Sequence, residues 1–497
     1  MATLGFEKQL WEAACKLWGS IPAADYRKVI IGLIFLKYVS TTFDKRFQQL
    51  LDEGEGFEND IDAYTSKNLF YIPEEARWNH ISKASHTEKI GVVIDNAMRQ
   101  IETQNKSLNG VLPKIYASPD IDKHVLSDVV DLFTNSINFE SIEQNKDILG
   151  RTYEYCIANF ASYEGRRGGE FYTPASIVKT MVEILKPQSG MRIYDPCMGS
   201  GGMIVQSAKY IEQHAGKRFS ISVYGQESNP DTWKMAKMNM AIRGIDANLG
   251  QHHADTFKND LHPQKKFDII MANPPFNLSE WGQENLVEDI RWKYGVPPKS
   301  NANYAWIQHM IHHLATNGKI GLVLANGALS SQSSGEGEIR RKIIEDDLIE
   351  GIVALPTQLF YSVTIPVTLW FITKNKKQKG KTLFIDARNI GYMVDRTHRD
   401  FTDEDIDLLA KTFEDFQNGK LEEKQGFSAI ANLEDIAKQD FILTPGRYVG
   451  IEELEDDGVP FEEKMTRLTS ELSEMFEKSH ELEEEIRKKL GAIGYEV

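Results

Sequence analysis

Apolar residues in the first 140 positions recur at three-to-four spacing. Leu10–Ile21 (LWEAACKLWGSI), Tyr26–Leu51 (YRKVIIGLIFLKYVSTTFDKRFQQLL) and Val125–Ile137 (VLSDVVDLFTNSI) carry this period, and acidic loops such as DEGEGFEND separate them. The pattern predicts a helical region over residues 1–142. From about Asp147 to Thr373 the rhythm changes. RIYDP, ISVYGQE, FDIIMANPP, GKIGLVLAN, LIEGIVALP and VTLWFITKN are short apolar runs, several separated by helical segments. Such alternation predicts an α/β unit with a mainly parallel sheet covered on both faces, extending over 147–450 with one more strand at TLFIDAR. In a final segment, 455–497, Met465, Leu468, Leu472, Met475, Leu482 and Ile486 follow heptad spacing, broken by Ser479. The expectation there is a long amphipathic helix that seeks a partner helix, the plainer alternative being a helix packed on its own domain.

Composition narrows the class. The 497 residues are 41% hydrophobic and 26% charged, in the range of an ordinary globular protein. The apolar run Val29–Leu36 ends at Lys37, too short to span a bilayer and without the flanks of a signal peptide. Three scattered cysteines give neither a disulfide framework nor a Cys-x-x-Cys metal knuckle, so the expected compartment is the cytoplasm, with no membrane association. A net charge of −16 argues against a chain that grips DNA unaided. Any work on nucleic acid would be shared with a more basic partner.

Ligands of such sheets bind where strands end, and there the chain is distinctive. RIYDPCMGSGGM runs from a strand through Asp195 into a turn with Gly199, Ser200, Gly201 and Gly202, then a helix. Glycines let a ligand approach the backbone and the helix offers free N–H groups. The spacing is wrong for a dinucleotide fingerprint and lacks the Gly-Lys-Ser/Thr of a P-loop. A carboxylate at Asp195 would repel a pyrophosphate but suits a sulfonium or ammonium cation. Glu227 ends the second strand, as an acceptor for ribose hydroxyls, and Asp255 follows a weak third strand, as an acceptor for an adenine amino group. Each acid alone reads as a solvated loop carboxylate; three at successive strand ends favour S-adenosyl-L-methionine.

FDIIMANPPF then closes a buried strand with Asn273, Pro274, Pro275 and Phe276. Prolines fix φ and donate no N–H, so the loop presents the Asn273 carboxamide and the Pro274 carbonyl as acceptors in a stiff frame. Acceptors of that kind orient an exocyclic amine and stabilise its departing proton, while Phe276 offers a face on which a base stacks. The glycine turn and this loop should open onto one pocket.

DPCMGSGG, Asp255 and NPPF, with EFYTP upstream of the turn, resemble the motifs of amino-group DNA methyltransferases in their γ order. With its flanking helical regions, nearly the whole chain is similar to the modification subunit (HsdM) of type I restriction–modification systems. The resemblance implies a Rossmann-like methyltransferase fold and N6 methylation of a flipped adenine. Glu170, Phe171, Tyr172, Thr173, Pro174 and Ala175 would lie over the cofactor. Ser200, Gly201 and Gly202 would touch its methionine end near Asp195, with Glu227 on the ribose and Asp255 on its adenine. The implied partners are DNA, a specificity subunit (HsdS) shared by two modification subunits, and a restriction–translocase subunit (HsdR). Cys197 stands beside a proline, as the nucleophile of cytosine-C5 enzymes does, but too early in the motif order, and it reads as a turn residue. Asn273 at the head of the tetrapeptide favours adenine over cytosine N4. Methylation of a protein glutamine or an RNA base, or a non-catalytic cofactor-binding scaffold, are the competing readings.

Four other features carry weaker signals. His309, His312 and His313 share a helical turn, although methyl transfer needs no metal. The polar segment Asn277–Asn303 is expected to be poorly ordered without DNA, with Trp281 or Trp292 available to close on it. Leu329–Arg341, rich in Ser and Gly, is expected to be a mobile loop. Arg166 and Arg167 are either phosphate contacts or plain surface.

Overall fold

A computed structural model describes residues 23–67, 69–135, 173–215, 221–360, 365–451 and 461–492. The chain divides into two compact units, Met1–Gly450 and Ile451–Val497.

The first unit opens with helix α1 (Ala23–Glu53). Its Val29–Leu36 run is buried almost all round, which explains why it reads as continuously apolar and not as a one-faced stripe. Helices α2 (Ile90–Gln104) and α3 (Lys123–Asn135) wrap it. Gly32 is required there, since a Cβ would stand 2.2 Å from the Tyr116 hydroxyl oxygen, which donates to the Val29 carbonyl at 3.0 Å.

The sheet has nine strands: β1 (Arg192–Asp195), β2 (Ser222–Gly225), β3 (Ala247–Asn248), β4 (Phe267–Ala272), β5 (Leu314–Ala325), β6 (Ile349–Ala354), β7 (Val367–Thr373), β8 (Lys381–Asp386) and β11 (Ser428–Asn432). Their order is β11-β8-β6-β7-β5-β4-β1-β2-β3. Neighbours are parallel except where β7 enters between β5 and β6 and where β11 joins the edge beside β8. The chain order reverses between β1 and β4, which makes their C-terminal ends the crevice of this architecture. The remaining strands, β9 (Tyr392–Met393) and β10 (Arg399–Asp400), form a separate hairpin.

The sheet is covered by α4 (Ala175–Leu185), α5 (Gly202–Ala215), α6 (Pro230–Ile242), α7 (Asn303–His313), α8 (Glu336–Glu345) and α9 (Asp403–Gln417). Helix α6 also serves the helical region: Met235, Met238 and Ile242 join its core, and Lys28 pairs with Asp231 at 2.9 Å. In the second unit α10 (Phe461–Ala492) runs for 32 residues, and Met465, Leu468, Leu472, Met475, Leu482 and Ile486 are all exposed along it. No described helix is long and apolar enough to cross a membrane.

Two expectations of disorder are corrected. The segment after NPPF is packed. Trp281 and Trp292 are buried, edge-on at 5.6 Å, with their indole N–H groups donating to the carbonyls of Pro298 (3.0 Å) and Leu286 (2.6 Å). Asn277 and Asn303 exchange hydrogen bonds at 3.2 and 3.0 Å, which closes the segment at its base. The polar composition marks internal bonding here, not solvation. Within Leu329–Arg341, Ser331 bonds the buried Glu336 carboxylate, and the buried Arg340 donates to the carbonyls of Ser331 and Phe441, both at 2.7 Å. That loop is anchored. Arg166 and Arg167 lie outside the described residues.

Candidate active site

Strand β1 is pinned before it reaches the site. Arg192 grips Asp268 of β4 through its backbone N–H (2.9 Å) and guanidinium (3.1 and 3.2 Å), while the Tyr194 ring stacks on Phe267 at 4.3 Å. Asp195 then ends the strand with a buried carboxyl that accepts from the Cys197 amide at 3.0 Å. Burial first, and the Glu227 charge second, push its pKa from 3.8 up to about 7. No basic side chain among the described residues is a direct partner of this acid.

The turn beyond it needs glycine at two places. Gly199 and Gly201 have φ of +54° and +84°, the left-handed region. A Cβ on Gly201 would meet the Met240 methyl at 2.6 Å, and one on Gly225 would meet the Met198 sulfur at 2.5 Å, so two thioethers back the turn. On the other side, a Cβ on Gly199 or Gly202 meets nothing within 4 Å. That open flank, with α5 starting at Gly202, leaves room for a ligand against the backbone. The backbone of Ser200 is braced by Asn239, which donates to its carbonyl at 2.7 Å.

Glu227, just past β2, accepts from the Gly199 amide at 3.0 Å and the Asn229 amide at 2.8 Å. Asp255 commits one oxygen to the amides of Phe257 (2.9 Å) and Lys258 (3.1 Å), while the other stands 3.7 Å from the Lys258 ammonium. Both acids therefore shape the loops that carry them. The open glycine flank and the buried, cation-seeking Asp195 fit a sulfonium nucleoside; a pyrophosphate would meet three carboxylates.

Asn273 follows β4, directly beside β1. Its amide nitrogen donates to the Thr173 hydroxyl at 2.9 Å, and its carboxamide oxygen is buried without a partner among the described residues. A buried acceptor left unmatched costs about 1–3 kcal/mol, a cost that a bound donor removes. The Cys197 thiol lies within hydrogen-bonding reach of both the Asp195 carboxylate and the Asn273 amide, so the glycine turn and the NPPF loop are adjacent. Burial and the neighbouring carboxylates hold that thiol protonated, well above its usual range, which suits a turn residue and not a nucleophile. Pro274 is buried, Pro275 and Phe276 are half-buried, and the Phe276 ring meets Phe360 edge-on at 6.1 Å. Pro174 caps α4, which begins at Ala175. Glu170, Phe171 and Tyr172 lie outside the described residues.

Three side chains that carry no motif signal hold this constellation together. Gln226, fully buried, donates to the carbonyls of Ala254 (3.2 Å) and Asn259 (2.7 Å) and accepts from the Leu261 amide (3.1 Å), which fixes the loop bearing Asp255. Thr256 ties that loop to the Pro196 carbonyl at 2.5 Å. Arg291 reaches from the segment after NPPF to the carbonyls of Thr256 (3.0 Å) and Phe257 (2.6 Å), with Asp289 completing its shell at 2.6 and 2.8 Å. A charged residue inside a polar stretch was the one sequence clue to it.

The histidine cluster is structural. His309 and His313 are buried, with Asp260 close to both. His313 bonds the Lys265 carbonyl (2.9 Å) and Asp260 (2.8 Å), and His309 meets Tyr194 (3.2 Å) and the Arg291 guanidinium (3.1 Å). Every ring nitrogen of the pair is thus engaged. Burial drives His309 well below its usual pKa and His312 down to about 4.

Residues 144–457 match the family described as N-6 DNA methylase, and residues 6–133 match the HsdM N-terminal domain. The HindI type I restriction enzyme methylase subunit of Haemophilus influenzae is 50% identical over 447 residues, spanning 86% of this chain and 100% of its own. The MjaIX methylase subunit of Methanocaldococcus jannaschii is 39% identical, over 99% and 92%. The type I restriction–modification methyltransferase subunit of Streptococcus thermophilus superposes with a TM-score of 0.76 at 25% identity, over 90% of this chain and 99% of that one. Motif order, fold and relatives agree: the chain belongs to the N-6 DNA methylase family, as a type I restriction–modification methylase subunit of the HsdM kind.

Proposed function

We propose that this subunit transfers a methyl group from S-adenosyl-L-methionine to N6 of an adenine flipped out of a specific DNA sequence, with site choice supplied by a separate specificity subunit. The observation that carries the reading is the buried Asn273 oxygen, unpartnered among the described residues, beside the Asp195 turn. The cofactor, when bound, supplies an electrophilic methyl on a sulfonium. Asp195 offsets that positive charge, Ser200, Gly201 and Gly202 admit the methionine end, Glu227 holds the ribose and Asp255 the adenine. Glu170–Ala175 cover the ligand. The Asn273 oxygen and the Pro274 carbonyl would accept hydrogen bonds from the two N6–H groups of the target, which aims the nitrogen lone pair; as the C–N bond forms and the C–S bond breaks to leave a neutral thioether, they stabilise the cationic amine until one N6 proton passes to water. Phe276 stacks on the flipped base, offsetting part of the few kcal/mol that flipping costs.

The organisation follows the same logic: a helical region over 1–142, a catalytic domain over 147–450 and a partner-binding tail over 455–497. The exposed heptad face of α10 is the contact for the specificity subunit, two methylase subunits sharing one such partner, and a restriction–translocase subunit joins for cleavage. The assembly works in the cytoplasm. The test is Asn273→Ala in the assembly with the specificity subunit. Methylation of DNA should fall by at least a hundredfold with cofactor affinity within about threefold of wild type. Undiminished methylation would refute the role.

A further inference from the structure

The β9–β10 hairpin has no task in the site described above, yet it exposes an apolar tip. Strand β8 runs parallel to β6, β5 and β4 in sense, so the hairpin, which follows the end of β8, emerges on the side where Asn273 lies. It bends back toward that site. The Arg399 amide donates to the Gln358 carbonyl at 2.9 Å, and two residues on, Phe360 touches Phe276 of the catalytic loop. Four strand spacings of about 4.8 Å separate β8 from β4, roughly 19 Å, or about six base-pair steps along a duplex.

The tip exposes three consecutive apolar residues, Tyr392 (48%), Met393 (43%) and Val394 (58%). Single exposed hydrophobics are ordinary; three in a row are not. Side chains alternate along a strand, so Tyr392 and Met393 project from opposite faces, and Val394 follows them into the turn. Apolar groups on both faces make a blade, suited to entering a gap and not to lying on a flat protein surface. The turn is preorganised: the Val394 amide donates to the His398 carbonyl at 2.8 Å. Asp395 receives the amides of Thr397 (2.7 Å) and His398 (2.9 Å) and faces the His398 ring at 2.7 Å. These bonds absorb the one acid of the tip. Arg396, exposed at the apex, has no ion pair among the described residues.

We infer that this hairpin is a DNA-contacting element: its apolar blade enters the duplex groove about six base-pair steps from the flipped adenine, and Arg396 meets a phosphate. Proteins that distort duplexes insert apolar side chains in this way and hold the backbone with Arg. The inference rests on the methyltransferase reading above, and the occupant it commits to is the DNA flanking the target base.

The test uses the full chain assembled with its specificity subunit, and a duplex carrying the site which that assembly methylates. The triple variant Tyr392→Ser, Met393→Ser, Val394→Ser should lose about tenfold to a hundredfold in kcat/KM for DNA. Cofactor affinity, melting temperature and assembly should stay at wild-type values. Arg396→Gln should make the fall of log affinity with log salt shallower by about one. Wild-type DNA affinity and salt slope in both variants would overturn the inference, as would a loss traced to failed assembly, which would make the blade a protein-binding face. A wild-type assembly that methylates no DNA would instead sink the methyltransferase reading, and the binding comparison would still decide the hairpin.

Discussion

Replacing Asp195 by Asn should stabilise the cofactor-free protein while disabling it. The native carboxyl is buried and without a basic partner among the described residues, and its pKa stands near 7 against 3.8 in the open chain. About three pKa units correspond to roughly 4 kcal/mol. Because the folded-state pKa is raised, the folded state holds a proton that the unfolded chain has released anywhere between pH 4 and pH 7. The contribution of the protonated acid is therefore complete below pH 4 and gone above pH 7. Asn, neutral throughout, removes the cost of the buried charge at pH 8 and changes little at pH 4. For a cooperative unit of about 300 residues the melting entropy is near 0.6 kcal/mol/K, so about 4 kcal/mol corresponds to about 6 °C. Unsatisfied amide hydrogens would trim this to about 3–6 °C. The assay is thermal melting of cofactor-free wild type and variant at pH 5 and pH 8, with S-adenosylmethionine affinity measured in parallel. On the proposed role of Asp195 as counter-charge to the sulfonium, wild-type affinity should fall about tenfold per pH unit below 7 as the carboxyl protonates, and the variant should be weak and flat. A variant that melts at or below wild type at pH 8, or gains equally at both pH values, would refute the assignment of Asp195 as a buried, cation-seeking acid.

Two other predictions concern the frame. Arg291→Met strands Asp289 and leaves two carbonyls of the Asp255 loop unmatched, so unfolding should become easier by about 3–5 kcal/mol, read by urea titration; a change below about 1 kcal/mol would count against Arg291 as the clasp between the two loops. Gly201→Ala meets the left-handed φ and should cost about 1–2 kcal/mol, whereas Gly202→Ala, with open space before it, should leave the melt unchanged and weaken cofactor binding about tenfold or more by calorimetry.

Strands β1 and β4 to β8 were legible because most of their residues on both faces are buried, and β2 because Val223 and Tyr224 lead into the Gly225–Glu227 strand end. Those runs end in the residues that matter. Strand β3 has only two residues and gives only a weak signal, and β11 (SAIAN) lies at an edge with small side chains and does not rise above the background. The NPPF loop announces itself through proline. What failed was the inference from polarity to disorder over Asn277–Asn303. There Trp281 and Trp292 anchor a segment whose polar groups bond to one another, and no periodicity reports a bond such as that from Arg291 to Phe257. Gln226 escaped for the same reason: its partners lie 28 to 35 residues away, and its neighbour Glu227 drew the chemical reading.

The thioethers behind the glycine turn give the two sides of the crevice different mechanical characters. Glu227 and Gln226 form walls fixed by directional bonds, whereas Met198 and Met240 form a floor that adjusts through soft, rotatable sulfur chains. A floor of that kind can yield by fractions of an ångström as a bulky sulfonium settles, without breaking any hydrogen bond. It also exposes the fit to oxidants: a sulfoxide on Met240 would put a polar oxygen where the turn now rests on a methyl group.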